Sequence, residues 1–547
     1  MSRSSLFDRL RRIITLSEHA DRRGLSSDDA VAELRAAEER RLDRRGLIKA
    51  AGAVAAGAVA AKVMTSRSAR AAPRGAGPDV AIVGAGMAGL ACADALAAKG
   101  IYATLYEASN RAGGRVYSRG LSFPGPGEFP GQVIELGGEL VDTAHGTMRG
   151  YANRFGFAME NIFDNPGEET FVVDGVEYSH ARVIDEWRAL VPALKDDLRR
   201  SSGAPTAAAH SDFDKILDAK NLADYLVEKG AGPVIRGIIS AAYTGEYGGE
   251  LSAQSAFNLL LFMHMDNRGK FKPFGVFSDE KYHLAGGNEQ IPRALAAELD
   301  SQIDYGAWLV KLERLASGNY RLHFKNSDGL KTWGSTWSVD HDRVVLAIPF
   351  SVLRNVELAP SLGLPDWKRN VINNFGYGTN AKLMISFTRP TWHDHDRNGG
   401  GFIWGVPNML NTWETNNVNA TESRAVLTDY TGGTLGAQLD PKNASGEATK
   451  FLTSLERFWP GVLRDVRKSG GKPVATLQHW PSVPTVMGSY TCNAPGYFTT
   501  MADLEAVPVD KLYFAGEHAD SFYSWQGFME GACLSGLNAA NTIVKSR

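Results

Sequence analysis

The stretch Val80-Ala-Ile-Val-Gly84-Ala-Gly86-Met-Ala-Gly89 decides the fold of this chain. An apolar strand that ends in G-x-G-x-x-G predicts a tight turn into a helix. Gly84 suits the turn, and Gly86 lets the backbone approach a bound pyrophosphate closely. Gly89 allows the helix to pack against the strand, and the helix N-terminus then faces the phosphate charge. This pattern predicts a dinucleotide site, although a glycine-rich turn alone is weak evidence.

Two further features follow in the order that such a site requires. Glu107 closes the next apolar strand about twenty residues after the turn, at the position expected to bind a ribose hydroxyl. Gly113-Gly114-Arg115 come shortly after it. The alternative interpretation is a structural turn followed by a solvated carboxylate. Three elements in order favour the dinucleotide site, with FAD as the expected ligand.

Residues 1–71 indicate where the protein goes. The pair Arg44-Arg45 precedes an Ala/Gly/Val run over residues 50–61, and together they resemble a twin-arginine export signal. The run is shorter than the roughly twenty residues that span a bilayer. The small-x-small triplet that ends at Ala71 predicts cleavage after that residue. The alternative is an amphipathic N-terminal helix that leads into a core helix, but Gly and Ala dominate where a core helix would carry Leu and Ile.

Charge and cysteine content exclude several classes of function. The whole chain has 59 Lys and Arg against 61 Asp and Glu, and residues 72–547 carry a formal charge of −8. Such an acidic chain is not expected to bind nucleic acid. The only cysteines are Cys92, Cys492 and Cys533, without C-x-x-C spacing, so neither a disulfide framework nor a metal site is predicted. Cys92 and Cys533 lie in apolar helical patterns and are expected in the core.

The pattern of elements predicts an α/β fold in which two domains are interleaved. Strands typical of the nucleotide domain recur at the beginning, middle and end of the chain. A Rossmann-like FAD-binding domain should therefore alternate with an α+β substrate-binding domain. The predicted segments are 1–71 (signal region), 72–150, 284–365 and 476–547 (FAD-binding domain), and 151–283, mainly helical, and 366–475 (substrate domain).

With these residues and several later motifs, the sequence resembles the flavin-dependent amine oxidase family, which includes monoamine, polyamine and L-amino-acid oxidases. The resemblance covers essentially all of the chain after residue 71. Its later motifs are Glu135-Leu-Gly137-Gly138-Glu139, the Gly286-Gly287 turn, Lys382, Phe514-Ala-Gly516-Glu517 and Trp525-Gln-Gly527-Phe528-Met-Glu530-Gly531-Ala532.

The resemblance implies how the chain would hold FAD. Arg115 would reach the pyrophosphate as a charge-assisted donor, and Glu517 would lie near the ribityl and phosphate groups. Gly137 and Gly138 would let the backbone lie against the pyrimidine edge of the flavin. The helix that begins near Gly527 would direct its N-terminal N–H groups at flavin N1 and the C2 carbonyl. The full set of predicted cofactor residues is Gly84, Gly86, Met87, Ala88, Gly89, Glu107, Ala108, Gly114, Arg115, Gly137, Gly138, Glu139, Leu140, Glu517, Gly527, Phe528, Met529 and Ala532.

The same resemblance implies three catalytic positions. Lys382 lies in an otherwise apolar strand, where a lysine is costly without a purpose. The matching lysine of the family bonds through water to flavin N5; the alternative is a lysine that snorkels from a strand edge. Tyr490 and Phe528 would flank the substrate amine with their ring faces, and core packing is the alternative for either ring. Trp480 and Trp525 are expected to pack at the edge of the same site.

Two departures from the family pattern constrain the prediction. Ser489 stands where monoamine oxidases carry the cysteine that links to the flavin, and Cys492 is out of register by three. FAD should therefore be bound noncovalently. Leu140 stands where L-amino-acid oxidases carry the arginine that binds the substrate carboxylate. Arg149 or Arg236 would have to replace that arginine if the substrate were an amino acid.

The resemblance implies oxidative deamination, in which hydride leaves the carbon next to a neutral amine for flavin N5 and the imine then hydrolyses. Leu140 and the aromatic pair favour a primary amine, which would give an aldehyde, ammonia and hydrogen peroxide. Three alternatives stay open: an L-amino-acid oxidase, a dehydrogenase that passes electrons to a periplasmic carrier, and a flavin-binding component with little catalysis.

The predicted partners are a small amine or amino acid, molecular oxygen and the twin-arginine export machinery. The predicted location is the periplasm or the medium, with no stable membrane span. The sequence leaves the oligomeric state open, a homodimer included. Glu139, Glu246 and Glu530 would favour a basic substrate if one of them faced the pocket.

Overall fold

The computed structural model describes residues 6–36, 77–120, 129, 131–162, 170–262, 279–328, 332–395, 400–415 and 424–546. The twin-arginine pair at 44–45, the apolar run that follows it and the cleavage site at Ala71 lie outside the described residues.

The strands are β1 (Val80–Val83), β2 (Thr104–Glu107), β3 (Ser118–Gly120), β4 (Val133–Glu135), β5 (Met159–Asn161), β6 (Thr170–Val173), β7 (Val176–Tyr178), β8 (Tyr282–Leu284), β9 (Ile303–Tyr305), β10 (Ala307–Arg314), β11 (Tyr320–Asp328), β12 (Thr332–His341), β13 (Arg343–Leu346), β14 (Glu357–Leu358), β15 (Ala381–Phe387), β16 (Ile403–Trp404), β17 (Asn411–Thr415), β18 (Ala425–Thr431), β19 (Lys468–Ser469), β20 (Lys472–Pro473), β21 (Ala475–His479) and β22 (Leu512–Phe514).

The α-helices are α1 (Leu6–Arg23), α2 (Met87–Ala97), α3 (Gly146–Phe155), α4 (His180–Arg200), α5 (Asp212–Asp218), α6 (Leu222–Glu228), α7 (Pro233–Tyr247), α8 (Phe257–Phe262), α9 (Gln290–Glu298), α10 (Phe350–Leu353), α11 (Asp366–Asn374), α12 (Gly433–Gln438), α13 (Ala444–Leu455), α14 (Val462–Asp465), α15 (Tyr497–Thr500) and α16 (Met529–Lys545). Short 3₁₀ helices cover Leu251–Ala253, Asp300–Gln302, Pro360–Leu362, Thr391–Asp394, Trp480–Ser482 and Glu517–Ala519.

A parallel sheet in the order β22-β13-β1-β2-β9 forms the core of the first domain. Its strands come from the beginning, middle and end of the chain, which confirms the predicted interleaved α/β fold. β1 and β13 are buried along their whole length, because one face packs against α2, α9 and α16 and the other against the β10–β12 sheet. Two covered faces explain why these strands read as continuous apolar runs.

The antiparallel strands β10, β11 and β12 form the layer on the second face. Strands β10 and β11 form a hairpin, and Gly318 supplies the positive φ (89°) that its turn needs. Tyr106 of β2 packs against Phe324 of β11 with ring centroids 4.6 Å apart.

The second domain contains a sheet in the order β21-β15-β18-β17-β16-β6-β7. β15 and β18 are fully buried, since one face carries the apolar residues that pack on α13. Helices α4 to α8 pack together beside this sheet. The segment 151–283 was predicted as mainly helical, but β5, β6 and β7 also lie within it. β6 is a strand because its backbone pairs with β16, a contact between distant segments that local pattern does not encode.

Part of the predicted signal region packs onto the second domain. Helix α1 and the helical residues 27–36 lie against α4, with Ile13, Leu16 and Val31 in the same apolar cluster as its buried face. The Ser27 hydroxyl donates to Asp185 Oδ1 (2.5 Å). The expectation that residues 1–71 stand apart from the fold is therefore not met by residues 6–36, because these helices bury apolar side chains against the domain.

All three cysteines lie within the described residues; each is buried, and no disulfide joins them. The described ranges contain no helix that is both long and apolar enough to cross a membrane. In the same ranges, no group of three or more His, Cys, Asp or Glu side chains could hold a metal ion.

We expect Gly89→Ala to destabilise the protein strongly. A Cβ atom at Gly89 would lie 1.9 Å from the carbonyl oxygen of Gly84, so α2 would have to move away from β1. The predicted cost is about 3 kcal/mol or more, as for other overpacked or strained positions, measured by urea unfolding. Gly150→Ala is the matched control, because that helical glycine has no atom within 4 Å of the added Cβ and should gain about 0.5–1 kcal/mol. Equal effects of the two substitutions would contradict the assigned packing.

Candidate active site

A cavity of about 400 Å³ lies at the carboxyl ends of the parallel strands. Its walls come from the turns after β1, β2, β13 and β22, the location at which open α/β sheets bind ligands. The predicted cofactor residues that line it are Gly84, Gly86, Met87, Ala88, Glu107, Ala108, Gly114, Arg115, Glu517, Met529 and Ala532.

The backbone of the glycine turn leaves room for a phosphate group. Gly84 has φ +101°, and a Cβ there would meet the Ala347 carbonyl oxygen at 2.7 Å. Gly86 forms a bridge with Gly113, and a Cβ on Gly86 would meet only Gly114 Cα, at 4.0 Å, on the side of the cavity. The helix that Gly86 begins, α2, receives no side-chain cap. Its first N–H groups can therefore bind an anion, so these residues fit a pyrophosphate.

Glu107 lies at the edge of this cavity in a fixed orientation. Its carboxylate accepts hydrogen bonds from Ala85 N (2.8 Å) and from Ser109 N (2.9 Å) and Oγ (2.7 Å). These bonds tie the end of β2 to the glycine turn. Carboxylate oxygens have more lone pairs than these donors use, so a ribose hydroxyl as a further donor fits the site.

Arg115, partly buried, and Glu517, buried, form an ion pair in the cavity wall. Arg115 Nη1 donates to Glu517 Oε1 and to Ser489 O, both at 2.8 Å, and Thr491 Oγ1 donates to Glu517 Oε2 (2.8 Å). Burial disfavours the charged carboxylate, but the Arg115 guanidinium outweighs burial and lowers the pKa of Glu517 to about 2. Arg115 was predicted to reach the pyrophosphate, and in the structure it is also the counter-ion of Glu517.

Helix α16 directs its N-terminus at the same cavity. Gly527 has φ +86° and Phe528 is the N-cap residue, without a side-chain hydrogen bond to the first turn. Met529 and Ala532 line the cavity. The Glu530 carboxylate instead accepts from Thr147 N (2.7 Å) and Met148 N (2.8 Å), at the start of α3, so it serves as a cap for that helix rather than as a substrate ligand.

Lys382 is buried on β15 with acceptors around its ammonium group. Nζ donates to Glu139 Oε2 (2.7 Å), Gly137 O (2.9 Å) and Glu135 O (3.2 Å). The nitrogen also lies 5.9 Å from the centroid of the Tyr430 ring. The structure therefore places Lys382 in a buried ion pair between the two domains, and the alternative of a lysine that snorkels from a strand edge is wrong, because the side chain is buried.

The segment from Gly137 to Leu140 lies behind the cavity wall. A Cβ on Gly137 would be 1.8 Å from Arg115 O, and Gly138 N donates to Arg115 O (3.0 Å). The Glu139 carboxylate binds Lys382 and the Trp413 indole N–H (2.9 Å). Leu140 is fully apolar and 2% exposed. These four residues were predicted to contact the cofactor. In the structure Gly137 and Gly138 pack on the backbone near Arg115, and Glu139 forms the ion pair with Lys382.

The two predicted aromatic residues are both buried. The Tyr490 hydroxyl lies 2.7 Å from the Tyr430 hydroxyl, and the Tyr490 ring packs with Trp480, which lines the cavity. The Phe528 ring lies edge-on to His145 (5.4 Å) and Trp525 (5.3 Å). Tyr490 therefore lies between Tyr430, which is next to Lys382, and the cavity-lining Trp480. Phe528 lies at the N-terminus of α16.

Sequence reasoning missed Asn288, Trp413 and Tyr430. The Asn288 amide donates to Gly138 O (2.9 Å) and Glu139 O (2.7 Å), and its position directly after the Gly286-Gly287 turn was an available signal. Tyr430 opposes Lys382 across β15 and β18. That pairing depends on strand register, so the local sequence gave no signal for it.

The fold and the cavity define a two-domain protein of the flavin-binding type. The chain belongs to the family of flavin containing amine oxidoreductases, whose model matches residues 87–544. It is therefore a flavin-dependent oxidoreductase that acts on CH–NH₂ groups.

The chain is similar to the L-amino-acid oxidase of Demansia vestigiata, with 24% identity over 488 residues, 85% of this chain and 87% of that protein. The L-amino-acid oxidase of Pseudechis australis is 23% identical, over 85% of this chain and 86% of that one. Two solved structures share the fold with TM-scores of 0.68 at 19% identity, over 86% of this chain and 99% of each of theirs. They are putrescine oxidase bound to putrescine and cyclohexylamine oxidase from Brevibacterium oxydans IH-35A.

We expect Glu135 to make stability depend on pH. Burial raises its pKa from 4.5 to about 7, although Asn288 N and the Ser118 hydroxyl donate to it. The folded state thus binds more protons between these values, so the free energy of unfolding falls as pH rises through this window. From pH 5 to pH 8, wild type should lose on the order of 3 kcal/mol more than Glu135→Gln, measured by urea unfolding. Parallel pH profiles of the two proteins would contradict this.

Proposed function

We propose that the protein oxidises a primary amine to an aldehyde, ammonia and hydrogen peroxide with noncovalently bound FAD. The observation that carries this proposal is Leu140, a buried apolar side chain at the position where the resemblance places the carboxylate-binding arginine of L-amino-acid oxidases. A leucine at this position offers no cation to a substrate carboxylate, and an unpaired carboxylate would be desolvated at high cost, so a substrate whose only polar group is the amine is favoured.

When bound, the flavin would supply the hydride acceptor for the carbon next to the amine. The residues of the chain orient the substrate and exclude water. Tyr490 and Phe528 would offer ring faces to the amine. Lys382, whose three N–H donors bind Glu139, Gly137 O and Glu135 O, would hold the segment from Gly137 to Glu139 in place. Both helix N-termini at the cavity favour negative charge on the bound cofactor.

Noncovalent binding is supported at the position of the family's linking cysteine. Ser489 stands there, and its hydroxyl donates to Asn380 Oδ1 (2.5 Å). A serine hydroxyl does not form the thioether. The buried Cys492 lies close to Gly249, since a Cβ on that glycine would meet Cys492 Sγ at 2.8 Å, so the thiol packs against the backbone of another segment.

An L-amino-acid oxidase is the second candidate, and the names of the curated relatives favour it. Arg149 and Arg236 were the candidates to bind a carboxylate. The guanidinium of Arg149 donates to Thr143 O (2.5 Å) and lies 5.9 Å from the Tyr282 ring; both partners lie outside the cavity lining. Arg236 lies in α7 and is also absent from that lining.

Product analysis separates the two candidates. We expect the purified holoenzyme to consume oxygen and release hydrogen peroxide with aromatic or straight-chain primary amines, with aldehydes as products. L-Phenylalanine and L-lysine should be turned over at least a hundredfold more slowly, because Leu140 offers no charged partner to their carboxylate. Fast formation of 2-oxo acids from amino acids, with none of aldehydes from amines, would establish the second candidate instead. Amine-dependent reduction of a dye without oxygen uptake would indicate a dehydrogenase.

We also propose export through the twin-arginine route to the periplasm or the medium, on the strength of Arg44-Arg45, the short apolar run and the predicted cleavage site. The conservative double variant R44K/R45K should accumulate in the cytoplasm with flavin bound, whereas wild type should be recovered outside it with Ala72 as its first residue. Cell fractionation and N-terminal sequencing measure both. Equal distribution of wild type and variant would contradict the proposed route.

A further inference from the structure

The Lys382–Glu139 ion pair is a feature of the site that the proposed reaction does not explain. Both side chains are buried, and Nζ to Oε2 is 2.7 Å. The second carboxylate oxygen of Glu139 accepts from the Trp413 indole (2.9 Å). Because both oxygens of the Glu139 carboxylate accept hydrogen bonds, the carboxylate is held in one position beside Lys382.

The ion pair lies beside the space in which the substrate is expected. Gln478, which opposes Lys382 on β21, lines the cavity. Tyr430, which opposes it on β18, contacts the hydroxyl of Tyr490. Glu139 immediately precedes Leu140 in the chain. The charge state of this pair therefore determines what a substrate meets at this end of the cavity.

The pair leaves Lys382 without a donor for a substrate carboxylate. An ammonium group has three N–H donors, and Glu139, Gly137 O and Glu135 O accept from Nζ. A substrate carboxylate would have to displace one of these acceptors. It would also approach the negative charge of Glu139, and like charges within a few ångströms repel strongly where water is excluded.

We propose that Glu139 is a specificity-determining residue that compensates the charge of Lys382 and so prevents the site from accepting substrates that carry a carboxylate. The inference rests on the proposed oxidation of primary amines and extends it. It assigns to one carboxylate the rejection of α-amino acids, in addition to the passive effect of the apolar Leu140. Without Glu139, Lys382 would offer a free cation at the same end of the cavity.

The test is the affinity of wild type and Glu139→Gln for phenylacetate, the carboxylate analogue of phenethylamine. Binding is measured by perturbation of the flavin absorbance spectrum. We expect the Kd for phenylacetate to fall at least tenfold in Glu139→Gln, and the ratio of kcat/KM for L-phenylalanine to that for phenethylamine to rise at least tenfold. The double variant E139Q/K382M should lose the gain in phenylacetate affinity, because the cation is then gone.

Glu414→Gln is the matched control. Glu414 is also buried and also accepts from a tryptophan indole, that of Trp392 (3.1 Å), and from His393 (2.8 Å). It lies next to Trp413 in β17, and alternate residues of a strand point to opposite faces. This control should bind phenylacetate as weakly as wild type does. If Glu139→Gln does not fold, Glu139→Asp replaces it, since it keeps the charge but draws it back by one methylene, and should show a smaller gain.

The outcomes distinguish the inference from the proposed function. Wild type that oxidises amines, together with an unchanged phenylacetate Kd in Glu139→Gln and Glu139→Asp, would overturn the inference alone. A gain in affinity that survives in E139Q/K382M, or that appears equally in Glu414→Gln, would also overturn it. Wild type that binds phenylacetate tightly and oxidises L-amino acids but not amines would overturn the proposed function itself.

Discussion

The ion pair between Lys382 and Glu139 joins the two domains at a point from which water is excluded. Lys382 belongs to the sheet of the second domain, whereas Glu139 follows β4 in the first. Removal of one partner from such a pair leaves an uncompensated buried charge and costs several kcal/mol. The approach of the second domain to the cavity wall therefore depends on this contact, and so does the position of the Lys382 ammonium group.

The cavity beside this pair is lined by closely packed backbone and by two helix N-termini without side-chain caps. Gly84 and Gly86 let the chain turn where a side chain would collide or fill the space, and the N-termini of α2 and α16 meet the cavity without side-chain caps. The partly buried Arg115 is matched by the buried Glu517. Arg115 and Lys382 thus each have a carboxylate partner, and the peptide dipoles supply the positive field that an anionic cofactor requires.

The sequence was most informative where a role depends on local chain geometry. The glycine turn, the strand that ends at Glu107 and the start of α16 were all predictable, because each is encoded within about twenty residues. The order of these elements along the chain also predicted that the two domains are interleaved, and the parallel sheet β22-β13-β1-β2-β9 confirms it.

The sequence was least informative where a role depends on which distant side chain lies opposite. Trp413 meets Glu139 from 274 positions away, and Tyr430 meets Lys382 only through the register of β15 and β18. Glu139 was expected to contact the cofactor because of its motif, but its ion pair with Lys382 of the other domain was not predicted. The packing of residues 6–36 on α4 was missed for the same reason.

Anaerobic titration of the purified holoenzyme with a primary amine, followed by admission of air, tests the central claim most directly. Phenethylamine should bleach the oxidised flavin absorbance, L-phenylalanine at the same concentration should leave it unchanged, and air should restore the spectrum of the bleached sample. A flavin that no amine bleaches, or a bleached flavin that air does not reoxidise, would contradict the proposed amine oxidase activity.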